Sequence, residues 1–598
     1  MEKTKIDEKP EMVEWYNPKQ LKNTAIKTII STIIGANADP RLVTASTSRE
    51  FFDYSHELEK NNNDFLPSAE ERKEIWIDYV SDVGDGWNPT YSVAYSLARR
   101  TIDVPDKSLQ RGEILIFGGD GVYPTANSEE YEKRLVKPYR MAFNASRNGD
   151  VGNPDEIDLK KAPHVFALPG NHDWYDSLVA FQKIFCTYLF NRRTFAGAWQ
   201  TRQKRSYFAV KLPHNWWLLG VDLQLSHNID VPQLEYFKWV IGEMDNEAKV
   251  ILCVPEPYWV KAIKYQNMTD VFEKKEESIE ILEKFLKDGQ IKLYLAGDLH
   301  HYRRFESEDG NRIQKVTAGG GGAFLHPTHD FDFNKDFEGK TKDAKNFTLK
   351  QNYPTFEDSR KMDWKNLYGF LGNNKSFGIL TAVLYPLLAL LIHGEIKGQF
   401  DWTKPFKATV NRLIEEPIAL LIVILMLFAL IFFTDSNSKL HKYFGGFLHG
   451  LVHLGAIFVL GWLGFFLMLW CFGTDTSGYE AVRLAHPTST NLVWFGSILL
   501  VCGVGGYIIG SIIMGVYLFV SLHIRGRHDN EAFSALKIED YKNFLRLHID
   551  GDGKLTIYPI RIEKVGREWI HQEKNGNESY QPENDLKAEL IEEIDPIG

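Results

Sequence analysis

The chain has 598 residues, more than one hydrophobic core usually organises, so at least two domains are expected. Aromatic residues at 13% and charged residues at 25% describe a folded chain, and a formal charge of −10 argues against a general nucleic-acid binder, which presents a basic face. The four cysteines, Cys186, Cys253, Cys471 and Cys502, form no C-x-x-C pair, which speaks against a disulfide framework or a zinc knuckle.

The opening stretch MEKTKIDEKPEMVEWYNP is charged and has no apolar centre, so it does not read as a secretory signal. Residues 18–35 place Ile26, Ile29, Ile30, Ile33 and Ile34 on one helical face, expected to pack on its own domain. Residues 1–74 therefore read as an N-terminal helical extension. From 75 to 330 the pattern turns to strand, loop, helix, strand. Its apolar runs are IWIDYV, EILIFGG, HVFALPG, WWLLGVDL, KVILCV and IKLYLAG, with helix-like stretches at 128–146, 174–190, 232–245 and 274–288. Such alternation predicts an α/β sheet with helices on both faces. SYFAVKLPHNWWLLGVDL lacks a helix and predicts a hairpin turning at Pro213, His214 and Asn215.

Residues 331–375 are polar and read as a connector. The runs 376–393, 417–434, 444–472 and 491–522 contain no Asp, Glu, Lys or Arg, and each is about long enough to cross a bilayer core, which takes roughly 20 apolar residues. They predict a four-helix transmembrane domain over 376–525. Eight flanking basic residues on the side of the chain ends (Arg360, Lys361, Lys365, Lys375, Lys439, Lys442, Arg525, Arg527) face five on the other (Lys397, Lys404, Lys407, Arg412, Arg483). That bias places the ends in the cytoplasm. Residues 526–570 read as a small C-terminal β-hairpin unit around Asp-Gly-Asp-Gly. An EF-hand is excluded there, because the twelfth loop position is Pro559 where a Glu is required. Residues 571–598 read as a disordered acidic tail.

The chemistry sits at the predicted strand ends. Asp82 and Asp85 follow the first strand, Asp120 the second, and Asn171, His172 and Asp173 the third. Glu256 follows KVILCV, and Asp298, His300 and His301 follow IKLYLA. One such residue closes a turn or caps a helix. Five strand ends converging would repel unless cations neutralise them, and a pair of divalent metals is the simplest neutraliser.

In order and spacing these motifs resemble the calcineurin-like metallophosphoesterase superfamily, whose pattern runs D-x-H, G-D, G-N-H-[DE], a lone His and G-H-x-H. GGD at 118–120 and GNHD at 170–173 match directly, and with its apolar helices the chain looks similar to membrane-anchored bacterial members. The resemblance covers 75–330 and implies a two-sheet α/β metallophosphoesterase domain. Carried over, Asp120 would bridge two metals, Asp82 and His300 would bind the first, and Asn171 the second. His172 would protonate the leaving oxygen or hold the phosphate, with Asp173 orienting its imidazole. Three positions depart: Gly84 stands for the D-x-H histidine, Glu256 for the lone His, and Asp298 for the first His of G-H-x-H. Two of the replacements are carboxylates, which keeps an oxygen-rich site with a taste for Mn²⁺ or Mg²⁺ over Zn²⁺. Asp85 and His301 are candidates to fill the gap at Gly84. Arg202, Arg205, Arg303, Arg304, His326 and His329 are candidates for substrate contacts.

The function implied is a membrane-anchored phosphoesterase of the bacterial inner membrane with its catalytic domain in the cytoplasm. A metal-bridging hydroxide would attack a phosphate ester, and the anchoring suggests a lipid or lipid-linked phosphate. The alternative is a non-catalytic membrane receptor or scaffold with a degenerate metal site. In the third span His449 and His453 share a helix face near His523. Interhelical hydrogen bonds are one reading of them, and a second metal or a head-group pocket is the other.

Overall fold

The computed structural model describes residues 9–37, 41, 45, 49–61, 64–105, 107–146, 163–186, 195–223, 229–260, 278–308, 310–329, 337–338, 346–393, 405–436, 438–574 and 576–598. It is a mixed α/β protein with several sheets and a set of long apolar helices. The chain divides into two compact units. One comprises 1–13, 23–359 and 537–598, and the other 14–22 and 360–536.

In the first unit the six predicted runs form strands β1 (Ile75–Val80), β2 (Ile114–Phe117), β3 (His164–Ala167), β4 (Trp216–Gly220), β5 (Lys249–Val254) and β6 (Ile291–Ala296), and two strands outside those runs follow, β7 (Tyr302–Ser307) and β8 (Gln314–Ala318). β1, β2 and β3 pair in parallel in one sheet, and β4, β5, β6 and β8 pair in parallel in another. Among the described residues these sheets have eight and nine strands. Side chains alternate across a strand, so each sheet buries both faces. Ile114, Ile116, Ile251, Cys253, Leu293 and Leu295 meet in one core between the sheets. Leu115, Phe117, Val165 and Ala167 turn outward onto the helices Trp87–Ala98 and Lys137–Ser146. Val250 and Leu252 turn the other way onto helix Val231–Gly242. The hairpin at 213–215 is present, joining Phe208–Lys211 to β4.

The C-terminal segment differs from expectation. Its hairpin, β9 (Lys542–Ile549) and β10 (Leu555–Ile562), is not a separate unit, because β9 pairs antiparallel with β1 inside the eight-stranded sheet. Arg546 of β9 is fully buried and reaches Asp78 of β1 through Nε at 3.0 Å. It also donates to the carbonyls of Leu109 at 2.8 Å and of Leu97 and Arg99 at 3.3 Å. The stretch 571–598 is not a structureless tail either. It holds strands Trp569–Lys574, Asn577–Pro582 and Glu589–Leu590, the last paired with β10.

Two other boundaries move. The N-terminal segment carries helix Pro18–Asn37 but also strands Phe52–Asp53, His56–Asn61 and Asp64–Glu71. Ile26, Ile29 and Ile30 of that helix are exposed rather than packed, and Ile33 and Ile34 lie outside the described side chains. Within 331–375, strand Asn346–Tyr353 joins the nine-stranded sheet beside β7, so this part is no loose connector. Parts of the helix-like stretches 174–190 and 274–288, at 187–190 and 274–277, lie outside the described residues.

The second unit contains α1 (Lys375–His393), α2 (Pro405–Glu415), α3 (Pro417–Phe433), α4 (Lys439–Cys471) and α5 (Pro487–Arg525). Three of them, α1, α4 and α5, are long and apolar enough to cross a membrane. A fourth span counts only if α2 and α3, bent by 101° at their junction, act as one. α3 alone has 17 residues, the lower limit for a crossing. Gly506 and Gly510 let α5 close on α1: a Cβ on either would come within 2.7 Å of Thr381.

Candidate functional site

Asp82, Asp120 and Asp298, each just past the C-terminal end of a parallel strand, have φ of 60°, 45° and 67°. This left-handed region costs a non-glycine residue energy, and such strain persists where surrounding contacts impose it. The contacts are visible. Asp82 N–H donates to Gly119 O and Val83 N–H to Asp120 O, both at 3.0 Å, while Asp298 N–H donates to Asp82 Oδ2 at 2.8 Å. Three strand ends from two sheets are thereby tied together.

At their meeting point sits Tyr123, a residue the motif reading passed over. Its hydroxyl lies 3.1 Å from Asp82 Oδ1, 3.1 Å from Asp120 Oδ2 and 3.0 Å from His300 Nε2. His300 Nδ1 donates to Phe324 O at 2.7 Å, so its Nε2 carries the lone pair in the neutral ring. One phenol proton cannot serve three acceptors. The phenol therefore bonds one of them at a time, and two carboxylates, an imidazole and a phenol are residue types that can hold a divalent metal.

Burial dominates the electrostatics of the cluster. Burial, then the charges of Asp120 and Asp298, raise the Asp82 carboxyl well above the usual range. Burial pushes the Tyr123 phenol well up, with Asp120 and Asp82 adding to the effect. Burial, then His326 and Lys542, hold His300 well below the ordinary histidine value. Among the described residues, no group of three or more His, Cys, Asp or Glu stands ready to hold a metal. Tyr123 bridges His300 Nε2 and Asp82 Oδ1, which are 3.7 Å apart.

Asn171, His172 and Asp173 open the short helix Asn171–Trp174 after β3. Gly170 before them lies so close over Asp120 that a Cβ would strike its carboxylate. Asp120 Oδ1 accepts the His172 N–H at 2.9 Å. Asn171 Nδ2 donates to Tyr175 at 3.0 Å, which leaves its amide oxygen as the donor atom for a cation. His172 is oriented by Pro124 O, 2.7 Å from Nδ1, and not by Asp173. Asp173 accepts instead from the N–H groups of Gly170 at 2.8 Å and Gly121 at 3.1 Å, and from the Tyr131 hydroxyl. These bonds tie the Gly121 and Gly170 loops together, and burial together with Asp120 pushes its carboxyl up to about 7. Burial also lowers the His172 imidazole.

The gap at Gly84 has a physical cause. Its φ is +72°, and a Cβ there would collide with the Gly121 carbonyl and lie 3.0 Å from Val122 Cα, so no histidine fits. Asp85 does not replace it, because its carboxylate is bound by Val13 N–H at 2.8 Å and Phe324 N–H at 3.2 Å. His301 and Glu256 are buried at their strand ends. His326 stacks on His300 at 3.8 Å and accepts its backbone N–H at 3.2 Å, which places it beside the cluster.

Arg202 is buried over Phe52, Tyr54 and Phe65 and donates to Phe65 O at 3.1 Å. Arg205 lies over Tyr207 and Tyr236, Arg303 donates to Thr328 O at 2.7 Å, and Arg304 pairs with Glu592 at 2.5 Å. All four are buried. His329 meets Ser359 at 2.8 Å. A cation that the motifs did not reveal is Lys542 of β9. It is fully buried with Nζ on Ala323 O at 2.6 Å, and burial lowers it to about 8 against the opposing pull of Asp85.

No protein-family model and no curated protein matches this chain. Among solved structures, GAP50, the anchor in the inner membrane complex of Plasmodium, aligns at 10% identity over 46% of this chain and 78% of its own, with a TM-score of 0.30. At that level the likeness decides neither fold nor function.

Proposed function

We propose that this protein is a membrane-anchored, metal-dependent phosphoesterase of calcineurin-like type. The observation that carries the reading is the convergence of Asp82, Asp120 and His300 on one buried phenol oxygen. Asp82, Asp120, His300 and Tyr123 would hold one cation, and Asp120 with Asn171 a second. Glu256 and Asp298 are the remaining carboxylates at these strand ends. An oxygen-rich set favours Mn²⁺ or Mg²⁺ over Zn²⁺. Two such ions supply Lewis-acid stabilisation of a phosphate ester and acidify water. Pro124 O fixes the His172 tautomer, so Nε2 carries a lone pair, or a proton when negative substrate charge raises its basicity. Asp173 holds the Gly121 and Gly170 loops on which Asp120 and Asn171 stand.

The apolar helices support a bilayer as partner, and the basic flanks support a cytoplasmic catalytic unit at a bacterial inner membrane. The substrate is then a phosphate ester met at the membrane, lipid or lipid-linked. A receptor or scaffold is the second reading, favoured by Tyr123 lying where a metal would need access.

The deciding experiment is hydrolysis of bis(p-nitrophenyl) phosphate and of its monoester by the detergent-purified chain. It is stripped of metal, then supplied with Mn²⁺, Mg²⁺ or Zn²⁺, beside Asp120→Ala and His172→Ala. Turnover that needs metal and vanishes in both variants is expected. No bound metal and no turnover in any arm replaces the enzyme with the scaffold.

A further inference from the structure

The second unit holds a cavity of about 760 Å³ between α4, α5 and the turn after α3. Phe444, Leu448 and Val452 on α4 face it at four-residue spacing, as do Ile512, Val516 and Val520 on α5. Residues four apart share a helix face, so two continuous apolar stripes line its length. All six are substantially exposed.

Polarity is graded along the groove. His441, Arg525 and Arg527 lie at one end, where α4 begins and α5 finishes, with Lys439 and Lys442 in the same turn of α4. Asp435 is the acid in the lining, its carboxylate facing the His528 N–H at 3.4 Å, and Glu531 pairs with the His528 ring at 3.4 Å. From His441 to Val452 is roughly 16 Å, and from Ile512 to Arg525 roughly 20 Å, at about 1.5 Å per residue. The shape is a long apolar trough with a cationic mouth.

Deeper in, His449 lines the trough with its ring stacked on Tyr517 at 4.0 Å. Its Nε2 meets His453 Nε2 at 3.2 Å, and His453 Nδ1 meets the Tyr385 hydroxyl at 2.6 Å. His449 is 4% exposed, and its Nδ1 is buried with no hydrogen-bond partner among the described residues. If Tyr385 donates to His453 and His453 to His449, the proton of His449 rests on Nδ1, as a donor awaiting an acceptor. His523, by contrast, is spent on Asp363 at 3.0 Å.

We propose that this trough binds an anionic glycerophospholipid of the bilayer. Its phosphate sits at Arg525, Arg527 and His441, an acyl chain lies along the two stripes, and an ester oxygen is within the province of His449. Cationic side chains at a membrane surface select anionic headgroups, and the volume lies in the range of a ligand pocket. This inference does not depend on the phosphoesterase reading.

The test reconstitutes the full chain in phosphatidylcholine vesicles containing a phosphatidylglycerol with a diazirine in its acyl chain. Cross-linked peptides are then mapped by mass spectrometry. Labelling should concentrate on 444–452 and 512–520, and fall about tenfold when Arg525→Ala and Arg527→Ala remove the mouth. A phosphatidylcholine probe with the same diazirine should label the trough less. Val516→Trp, which fills it, should abolish the concentration while leaving the melting curve in detergent intact. Labelling spread evenly over all apolar faces, equal labelling by the neutral probe, or two copies of the chain cross-linked through Leu448→Cys would overturn the proposal.

Discussion

Tyr123 shows how one side chain can stand where a motif has a gap. Gly84 cannot carry an imidazole, because its backbone is left-handed and packed on Gly121, and the phenol three residues past Asp120 reaches Asp82 and His300 instead. Tyr123→Phe removes the hydroxyl and keeps the ring. Calorimetric titration should then find Mn²⁺ affinity lowered by at least about tenfold. An unchanged affinity would remove Tyr123 from the ligand set. Asp173 gives a pH signature. Its folded pKa is raised to about 7, so its contribution to stability is present below the unfolded carboxylate value and is lost as pH rises through 7. In metal-free protein the stability advantage of wild type over Asp173→Asn should therefore shrink between pH 5 and pH 8. Mn²⁺ should weaken that trend by offsetting the Asp120 charge, and thermal melts at both pH values measure it.

Among the elements, β9 makes the largest demand on distant sequence. It covers the edge of β1 and sends Arg546 into a fully buried site, where one carboxylate and three carbonyls depend on it. Burial raises the Asp78 carboxyl even though Arg546 pulls it down, so the pair is held at an electrostatic cost. Arg546→Ala leaves a buried charge and three carbonyls without their donor. It should cost about 3–5 kcal/mol in denaturant unfolding of the first unit. Replacing both partners, as in Asp78→Leu with Arg546→Met, should not restore stability, because the carbonyls stay unsatisfied. The core strands β1, β2, β3, β5 and β6 were legible in the sequence because each is a short apolar run closed by a Gly or Pro turn. The strands Asn346–Tyr353 and Trp569–Lys574 were not, because their polar composition looks like loop until a neighbouring strand pairs with them.

Across the whole molecule, the first unit is discontinuous: the helices of 360–536 are inserted between its two parts. Leu325 N–H reaches Ile538 O at 3.2 Å and Thr328 N–H reaches Ser359 Oγ at 2.9 Å, so the two break points lie near the same loop. A chain of 9–359 alone should aggregate, since it exposes the edge of β1 that β9 covers. Joining 359 to 537 through about ten Gly/Ser residues, which span roughly 17 Å, should yield a soluble folded unit. Size-exclusion chromatography of the two proteins distinguishes these outcomes, and an aggregated splice would mean that the unit needs the helices to fold.

Local pattern alone determined where most of the parallel strands lie along the chain, the acids and imidazoles at their ends, and the apolar helices. Those features depend on residues two to four apart, where periodicity and turn chemistry act directly. Only the tertiary structure decided that the C-terminal hairpin belongs to the first sheet, that Asp85 and Asp173 bind backbone, that Arg202, Arg205, Arg303 and Arg304 are buried, and that Tyr123 and Lys542 reach the cluster region. These outcomes depend on which strand lies beside which and on the few ångströms that separate a ligand from a loop tie, and no local pattern of residues carries that information.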